Sequence, residues 1–304
     1  VIPPPRWRAG QLERERLIAI QTFREERMTE PLAAYLNHYA QVRATADRLF
    51  QLTGDLLADS LRDHAVELMS DKDLAEAVRY LAGPPISADD LRVLAVAQFS
   101  HRALRADPEM ARRVIDTVLI GLDERRVPWV AEKRAPTDAE REAALVSLAA
   151  LVASRRTMTE RAHVAKTNQE NAVRDVLLDE GFTEADARNI PHPGYGPRPG
   201  EFCGESPLGG RKADIIACLL DRRLLAIECK VSNSSVNSVK RLNNDAAAKA
   251  QVWINKFGTE QIVPAAVLAG VFNRVNLEDA QNQNLTLFWS HDLTPLAQFI
   301  REAR

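Results

Sequence analysis

The chain has 304 residues, 45% of them hydrophobic, a formal net charge of −2 and three cysteines. That length allows one large domain or two of ordinary size, each with its own core. No apolar run approaches about 18 residues, which excludes a membrane-spanning helix, and no apolar signal-peptide region opens the chain. Cys203, Cys218 and Cys229 give neither an even disulfide framework nor a metal-ligand spacing, and Cys218 and Cys229 fall in apolar runs as small core residues. A cytoplasmic protein is expected. The near-neutral charge argues mildly against a nucleic-acid partner, but a binding face can be basic on a neutral protein.

Residues 8–154 read as helical. Apolar residues recur at helical spacing in Leu12, Leu17, Ile20 and Phe23, and again in Leu32, Tyr35, Leu36, Tyr39 and Val42. Gly54, Gly83-Pro-Pro, Asp107-Pro, Gly121 and Pro136 punctuate this stretch into about seven helices. Thr137-Asp-Ala-Glu has capping-box spacing and opens a helix to about Met158. A further helix runs from about Thr159 to Glu180 and stops at Gly181. Pro191 to Pro199 is an irregular, proline-rich loop. Two strands follow, Ala213–Leu220 and Leu224–Val231, joined by a polar turn at Asp221-Arg-Arg. The pattern then predicts a helix over Val239–Phe257, a buried strand over Val263–Phe272, a short helix over Leu277–Gln281, a strand over Leu285–Trp289 and a final helix over Leu293–Glu302. Strands alternating with helices imply a mixed sheet with helices on its faces. The fold class is therefore mixed α+β: a helical region, residues 1–158, followed by an α/β core, residues 159–304.

Three charged residues interrupt the two apolar strands: Asp214, Glu228 and Lys230. Charges in a buried strand are costly unless paired or metal-bound. Alternation puts Glu228 and Lys230 on one face of their strand and Ile227, Cys229 and Val231 on the other. If the strands pair as a hairpin, Asp214 lies beside Glu228, and two carboxylates and one amine converge. Two acidic oxygen donors suit a hard cation such as Mg²⁺, and a cation with a nearby lysine suits phosphodiester hydrolysis. The lysine can orient or deprotonate water, or stabilise charge in the transition state. The plainer alternative is a structural salt bridge at the end of a sheet.

Asp214 followed by Glu228-Cys-Lys230 resembles the PD-(D/E)xK nuclease superfamily, with Ala213 where the proline of the name stands. The runs Glu201-Phe-Cys-Gly-Glu-Ser, Arg211-Lys-Ala-Asp, Ile227-Glu-Cys-Lys-Val-Ser-Asn-Ser-Ser and Lys240-Arg-Leu-Asn-Asn-Asp-Ala-Ala, with the opening Val1-Ile-Pro-Pro-Pro-Arg-Trp, resemble the XamI-type type II restriction endonucleases over nearly the whole chain. This resemblance implies a nuclease domain over 159–304 and a helical domain over 1–158 that serves dimerisation, DNA clamping or both. It implies a bacterial, cytoplasmic enzyme that cuts both strands of a short palindrome with Mg²⁺, leaving 5′-phosphates. The family's namesake recognises GTCGAC. Asp214 and Glu228, aided by the main-chain carbonyl of Cys229, would hold the metal, and Lys230 would assist water attack. Glu170, on the preceding helix, is a further catalytic candidate; an acid in the first turns of a helix is its plainer reading. Glu205 is a weaker candidate of the same kind.

Lys212, two residues before Asp214, is a candidate phosphate contact. Lys240, Arg241, Asn243 and Asn244 follow the polar loop Ser232-Asn-Ser-Ser-Val-Asn-Ser and carry the side-chain types that read base edges or bind phosphate. The partners expected are double-stranded DNA, a second copy of the chain reading the other half-site, and a cognate methyltransferase acting on the same site without forming a required complex. His192, His291 and the four tryptophans read as solvated or packing residues. No phosphate-binding glycine loop suggests ATP. Two rival readings remain: a structure-selective repair or recombination nuclease of the same fold, and a non-catalytic DNA-binding module on a degenerate one.

Overall fold

The computed structural model describes residues 2–29 and 32–304; Val1, which opens the first motif, lies outside them. The chain divides into two compact units, Val1–Glu30 with Arg161–Arg304, and Pro31–Glu160.

The unit over residues 31–160 is helical. Several of its helices begin at side-chain caps: Asp71, Ser87, Ser100 and Asp107 each accept hydrogen bonds from main-chain amides of the following turn. Such caps satisfy donors that a helix start leaves unpaired, at about 1 kcal/mol each. Phe50, Leu68, Val114 and Leu148 pack with Trp129 in one core. The Trp129 indole also donates to the Asp55 carbonyl at 2.7 Å, so its polar edge is satisfied inside the core. The capping box is present: Thr137 N donates to Glu140 Oε2 at 2.8 Å and Glu140 N to Thr137 Oγ1 at 3.3 Å. The two helices expected beyond it are one, Asp138–Asp179. No glycine or proline interrupts that stretch, so nothing forces a break near Met158.

The other unit is built on a six-stranded sheet. The strands are β1 (Thr183–Ala185), β2 (Glu201–Cys203), β3 (Ser206–Leu208), β4 (Arg211–Ala213), β5 (Ile215–Cys218), β6 (Leu224–Ser232), β7 (Ile262–Gly270) and β8 (Thr286–Trp289). Sheet order is β1-β2-β5-β6-β7-β8, with β3 and β4 forming a separate ribbon. β2, β5 and β6 pair antiparallel; β6, β7 and β8 pair parallel. The sheet is thus mixed, as the alternation of elements predicts. The expected first strand is split: the chain bends at Asp214, between β4 and β5. β1, β2 and β3 were not predicted, since three residues carry too little alternation to register.

Val173 and Leu177 of the long helix cover one face of the sheet with Phe299 and Ile300 of the last helix, Thr294–Glu302. The other face is covered by Leu242, Ala246 and Ala250, together with Leu12 and Ala19 of the helix Ala9–Thr29. Each fully buried large apolar side chain here contributes roughly 1.5–3 kcal/mol. The predicted helix after β6 exists in three parts: a turn at Ser235–Ser238, a π-helical segment Val239–Ala247 and an α-helix Ala248–Phe257. Gly258, at φ +79°, ends it. π segments are rare and cluster at functional sites. Gly270 closes β7 at φ +91°, where an added Cβ would lie 2.1 Å from the Ser232 carbonyl oxygen. No other residue fits there, and this contact fixes the end of β6 against β7.

Candidate active site

Pairing of Ile215 with Ile227 carries Asp214 alongside Glu228 at the point where β5 begins. The Asp214 amide still donates to the Ile227 carbonyl at 3.1 Å, but the bend turns the side chain between strands. Its Oδ2 accepts from the Cys229 amide at 2.8 Å. Its Oδ1 lies 3.0 Å from Lys166 Nζ, and the same Nζ is 3.2 Å from Glu170 Oε1. Lys166 therefore bridges Glu170 of the long helix to Asp214 of the sheet.

Glu228 is fully enclosed, at 0% exposure. Lys230 Nζ approaches its Oε2 at 2.6 Å, and Lys249 Nζ approaches Oε2 at 2.8 Å and Oε1 at 3.0 Å. Lys230 also contacts Asp245 Oδ2 at 2.6 Å. The hairpin thus sets two charged groups on adjoining positions of the sheet: Asp214 with Lys166 and Glu170, and Glu228 with Lys230, Lys249 and Asp245.

Charge in this enclosed place is held by mutual compensation. Burial pushes the Glu228 carboxyl above the usual carboxylate range, and Asp214 adds to that, while Lys230 and Lys249 pull it back. Burial works against the Lys230 ammonium, but Glu228 and Asp245 outweigh it and hold its pKa above the usual lysine value. Lys166 is likewise raised, with Asp214 and Glu170 overcoming its burial. Burial pushes the Cys229 thiol up, so it stays protonated; only its main-chain carbonyl can serve a hard cation.

The donor chemistry fits Mg²⁺. Among the described residues no three His, Cys, Asp or Glu side chains converge as a metal cage. What the site offers is two buried carboxylates, Asp214 at the bend before β5 and Glu228 on β6, with Cys229 between Glu228 and Lys230. Mg²⁺ is commonly held by one or two carboxylates, with water and substrate phosphate completing its shell.

A cleft of ≈ 450 Å³ opens beside the network, lined by Lys166, Cys229, Lys230, Asn237, Lys240, Arg241 and Asp245. Lys240 and Arg241 are exposed at its wall and Asn244 is exposed nearby. Asn243 is half-buried, its Oδ1 enclosed without a hydrogen-bond partner among the described residues. Lys212 lies on the β3–β4 ribbon, exposed and 2.6 Å from Glu205 Oε1, an acid that feels the charges of Lys166 and Asp214. The pairing with Lys212 holds the Glu205 carboxyl below its ordinary range. His291 pairs with Glu15 at 3.0 Å, and His192 packs on Tyr195. Sequence reasoning missed Lys166, Lys249 and Asp245 as members of the site. Their only signal was spacing: Lys166 precedes Glu170 by four residues and Asp245 precedes Lys249 by four, as in ordinary surface helix pairs.

The XamI restriction endonuclease family matches residues 59–289. The type II restriction enzyme XamI of Xanthomonas campestris pv. amaranthicola is 44% identical over 266 residues, which cover 87% of this chain and 97% of that enzyme. The crystal structure of protein VC1899 from Vibrio cholerae aligns at 15% identity and a TM-score of 0.31, covering 85% of this chain and 57% of that one, too loosely to bear on the fold. The match spans the bend at Asp214, the Glu228-Cys-Lys230 strand and the helix that faces them, and the chain belongs to the XamI restriction endonuclease family of type II restriction enzymes.

Proposed function

We propose that the chain cleaves both strands of double-stranded DNA at a short palindrome in a Mg²⁺-dependent hydrolysis, with GTCGAC the first sequence to test and 5′-phosphate ends as products. The observation that carries this reading is the ion pair of Glu228 with Lys230, next to Asp214 on the Cys229 amide, beside a cleft that Lys230, Lys240 and Arg241 line. Asp214 and Glu228 would hold the cation with the Cys229 carbonyl. Bound there, it would polarise the phosphoryl group and acidify a water. Lys230 positions the attacking water and holds its developing charge. Glu170 steadies Lys166 against Asp214. Lys240 and Arg241 engage the DNA backbone or base edges from the cleft wall, with Asn243, Asn244 and Lys212 as further contacts. A two-fold homodimer gives each half-site one active centre. The helical region serves dimerisation, clamping or both, and a methyltransferase modifying the same site protects the host DNA in the cytoplasm.

The test is digestion of plasmid by purified protein in Mg²⁺. Discrete bands support sequence-specific cutting. A smear or junction-selective cutting, or binding without cutting, overturns it. Asp214→Asn and Glu228→Gln should each abolish cleavage while the protein stays folded, and wild-type cutting by either variant removes these carboxylates from the chemistry.

A further inference from the structure

Glu228, Lys230, Asp245 and Lys249 close a ring of alternating charge. Lys230 Nζ lies 2.6 Å from Glu228 Oε2 and 2.6 Å from Asp245 Oδ2; Lys249 Nζ lies 2.8 Å from Glu228 Oε2 and 3.6 Å from Asp245 Oδ1. Two members come from β6 and two from the helix after it, four residues apart, with the π segment ending between them at Ala247. The ring is neutral as a whole, yet its members face different surroundings. Glu228 is enclosed, whereas the Asp245 side chain is 44% exposed and lines the cleft with Lys230. A lysine paired with Glu228 alone would be drawn to the buried floor of the site. Lys249, on both Glu228 oxygens, already neutralises that floor.

Resting on the proposed nuclease chemistry, we infer that Asp245 is a positioning residue for Lys230. It draws the ammonium to the mouth of the cleft, where a scissile phosphate and its water must arrive, while Lys249 relieves Lys230 of neutralising Glu228. The π segment gives Asp245 its place: it carries Lys240 and Arg241 on the cleft wall and Asp245 at the ring, so the helix that faces DNA also aims the lysine.

The experiment compares wild type, Asp245→Asn, Asp245→Glu, Lys230→Met and the Asp245→Asn/Lys230→Met double variant, as full chains. Single-turnover cleavage on saturating DNA in Mg²⁺ should fall about 10–100-fold in Asp245→Asn, the usual cost of losing an orienting partner. DNA affinity in Ca²⁺ should stay within about threefold of wild type, a rate effect without a binding effect. Asp245→Glu should recover most of the rate. The double variant should be no slower than Lys230→Met, because Asp245 acts only through Lys230. A second readout needs no metal: acetic anhydride labelling of Lys230, followed by mass spectrometry, should rise several-fold in Asp245→Asn, with labelling at Lys166 unchanged. Unchanged Lys230 labelling, or additive losses in the double variant, overturns the assignment. Asp245→Ser takes the place of the asparagine variant if the latter melts early. The nuclease reading itself fails separately, if wild type does not cut or Lys230→Met cuts as wild type does.

Discussion

Replacing Lys230 with methionine keeps the apolar stem and removes the ammonium. Breaking a buried ion pair from one side costs about 3–5 kcal/mol when the remaining charge is left uncompensated. Glu228 would not be left so: Lys249 stays on both of its oxygens, at 3.0 and 2.8 Å. Asp245 keeps Lys249 at 3.6 Å and has water access. The expected stability loss is therefore about 1–2 kcal/mol, a fall in Tm of roughly 2–8 °C for a unit of this size. Cleavage should fall far more, by about 10²–10⁴-fold, as when a group that handles the attacking water is removed. Thermal melting and single-turnover cleavage on the same preparation separate the two effects. A variant that cuts within about threefold of wild type refutes the catalytic role, since that is less than about 0.7 kcal/mol of transition-state stabilisation. In that case a large fall in Tm would show Lys230 to be a strut.

Lys240→Ala and Arg241→Ala should each weaken DNA binding. Loss uniform over sequences, with the salt slope falling by about one unit, marks a phosphate contact, whereas a loss of about 1–3 kcal/mol of discrimination at one base pair marks base readout; unchanged affinity and specificity place the wall of the cleft away from DNA. Ca²⁺ should support binding by wild type with little hydrolysis, because its looser geometry misplaces the reacting groups, and rapid cutting in Ca²⁺ would contradict the assignment. At the head of the long helix, hydrogen bonding to Arg134 draws the Glu140 carboxyl from 4.5 to about 2. A lowered carboxylate pKa gives stability that is present above the unfolded value and lost as pH falls through the folded one. Acid unfolding followed by circular dichroism should therefore lose part of its slope between about pH 4.5 and 2 in Glu140→Gln; an unchanged curve would show that the cap bears no load.

Much of the fold was legible because its signals are local. The Thr137–Glu140 box, the stops at Gly181 and Gly258 and the apolar runs of β6 and β7 each state their structure within a few residues. Glu228 and Lys230 were legible for the same reason, as expensive charges in an apolar run. What sequence did not reveal depends on contacts distant along the chain. The bend at Asp214 exists because its side chain takes the Cys229 amide, fifteen residues on. The three-residue strands are held by their neighbours rather than by pattern. Lys166, Lys249 and Asp245 look like any solvated helix pair until the sheet is beside them. The helix Ala9–Thr29 reads as part of the helical stretch, but Trp7 donates to the Leu287 carbonyl at 2.7 Å, 280 residues away, and Leu12 packs with the sheet's core, partners that periodicity cannot name.

The overall charge of −2 and a polyanionic partner are compatible once charges are separated by what they already serve. Many arginines are spent on acids at close range, as in Arg43 with Glu142, Arg156 with Asp73 and Glu76, and Arg301 with Glu180. Such pairs enter the sum but project little field beyond a Debye length of about 8–10 Å. At the candidate site the same cancellation is local: Asp214, Glu170, Glu228 and Asp245 are met by Lys166, Lys230 and Lys249. Lys240 and Arg241 differ, being exposed on the cleft wall with no ion-pair partner among the described residues. Phosphates can therefore be met there without breaking an internal pair, and counterions released from the DNA would favour binding. On the proposed reading, a cation held by Asp214 and Glu228 would shift the balance the same way, because carboxylates that it neutralised would no longer need Lys166 and Lys249. The charge that DNA would meet is thus set by which lysines the two carboxylates hold, and not by the sum over the chain.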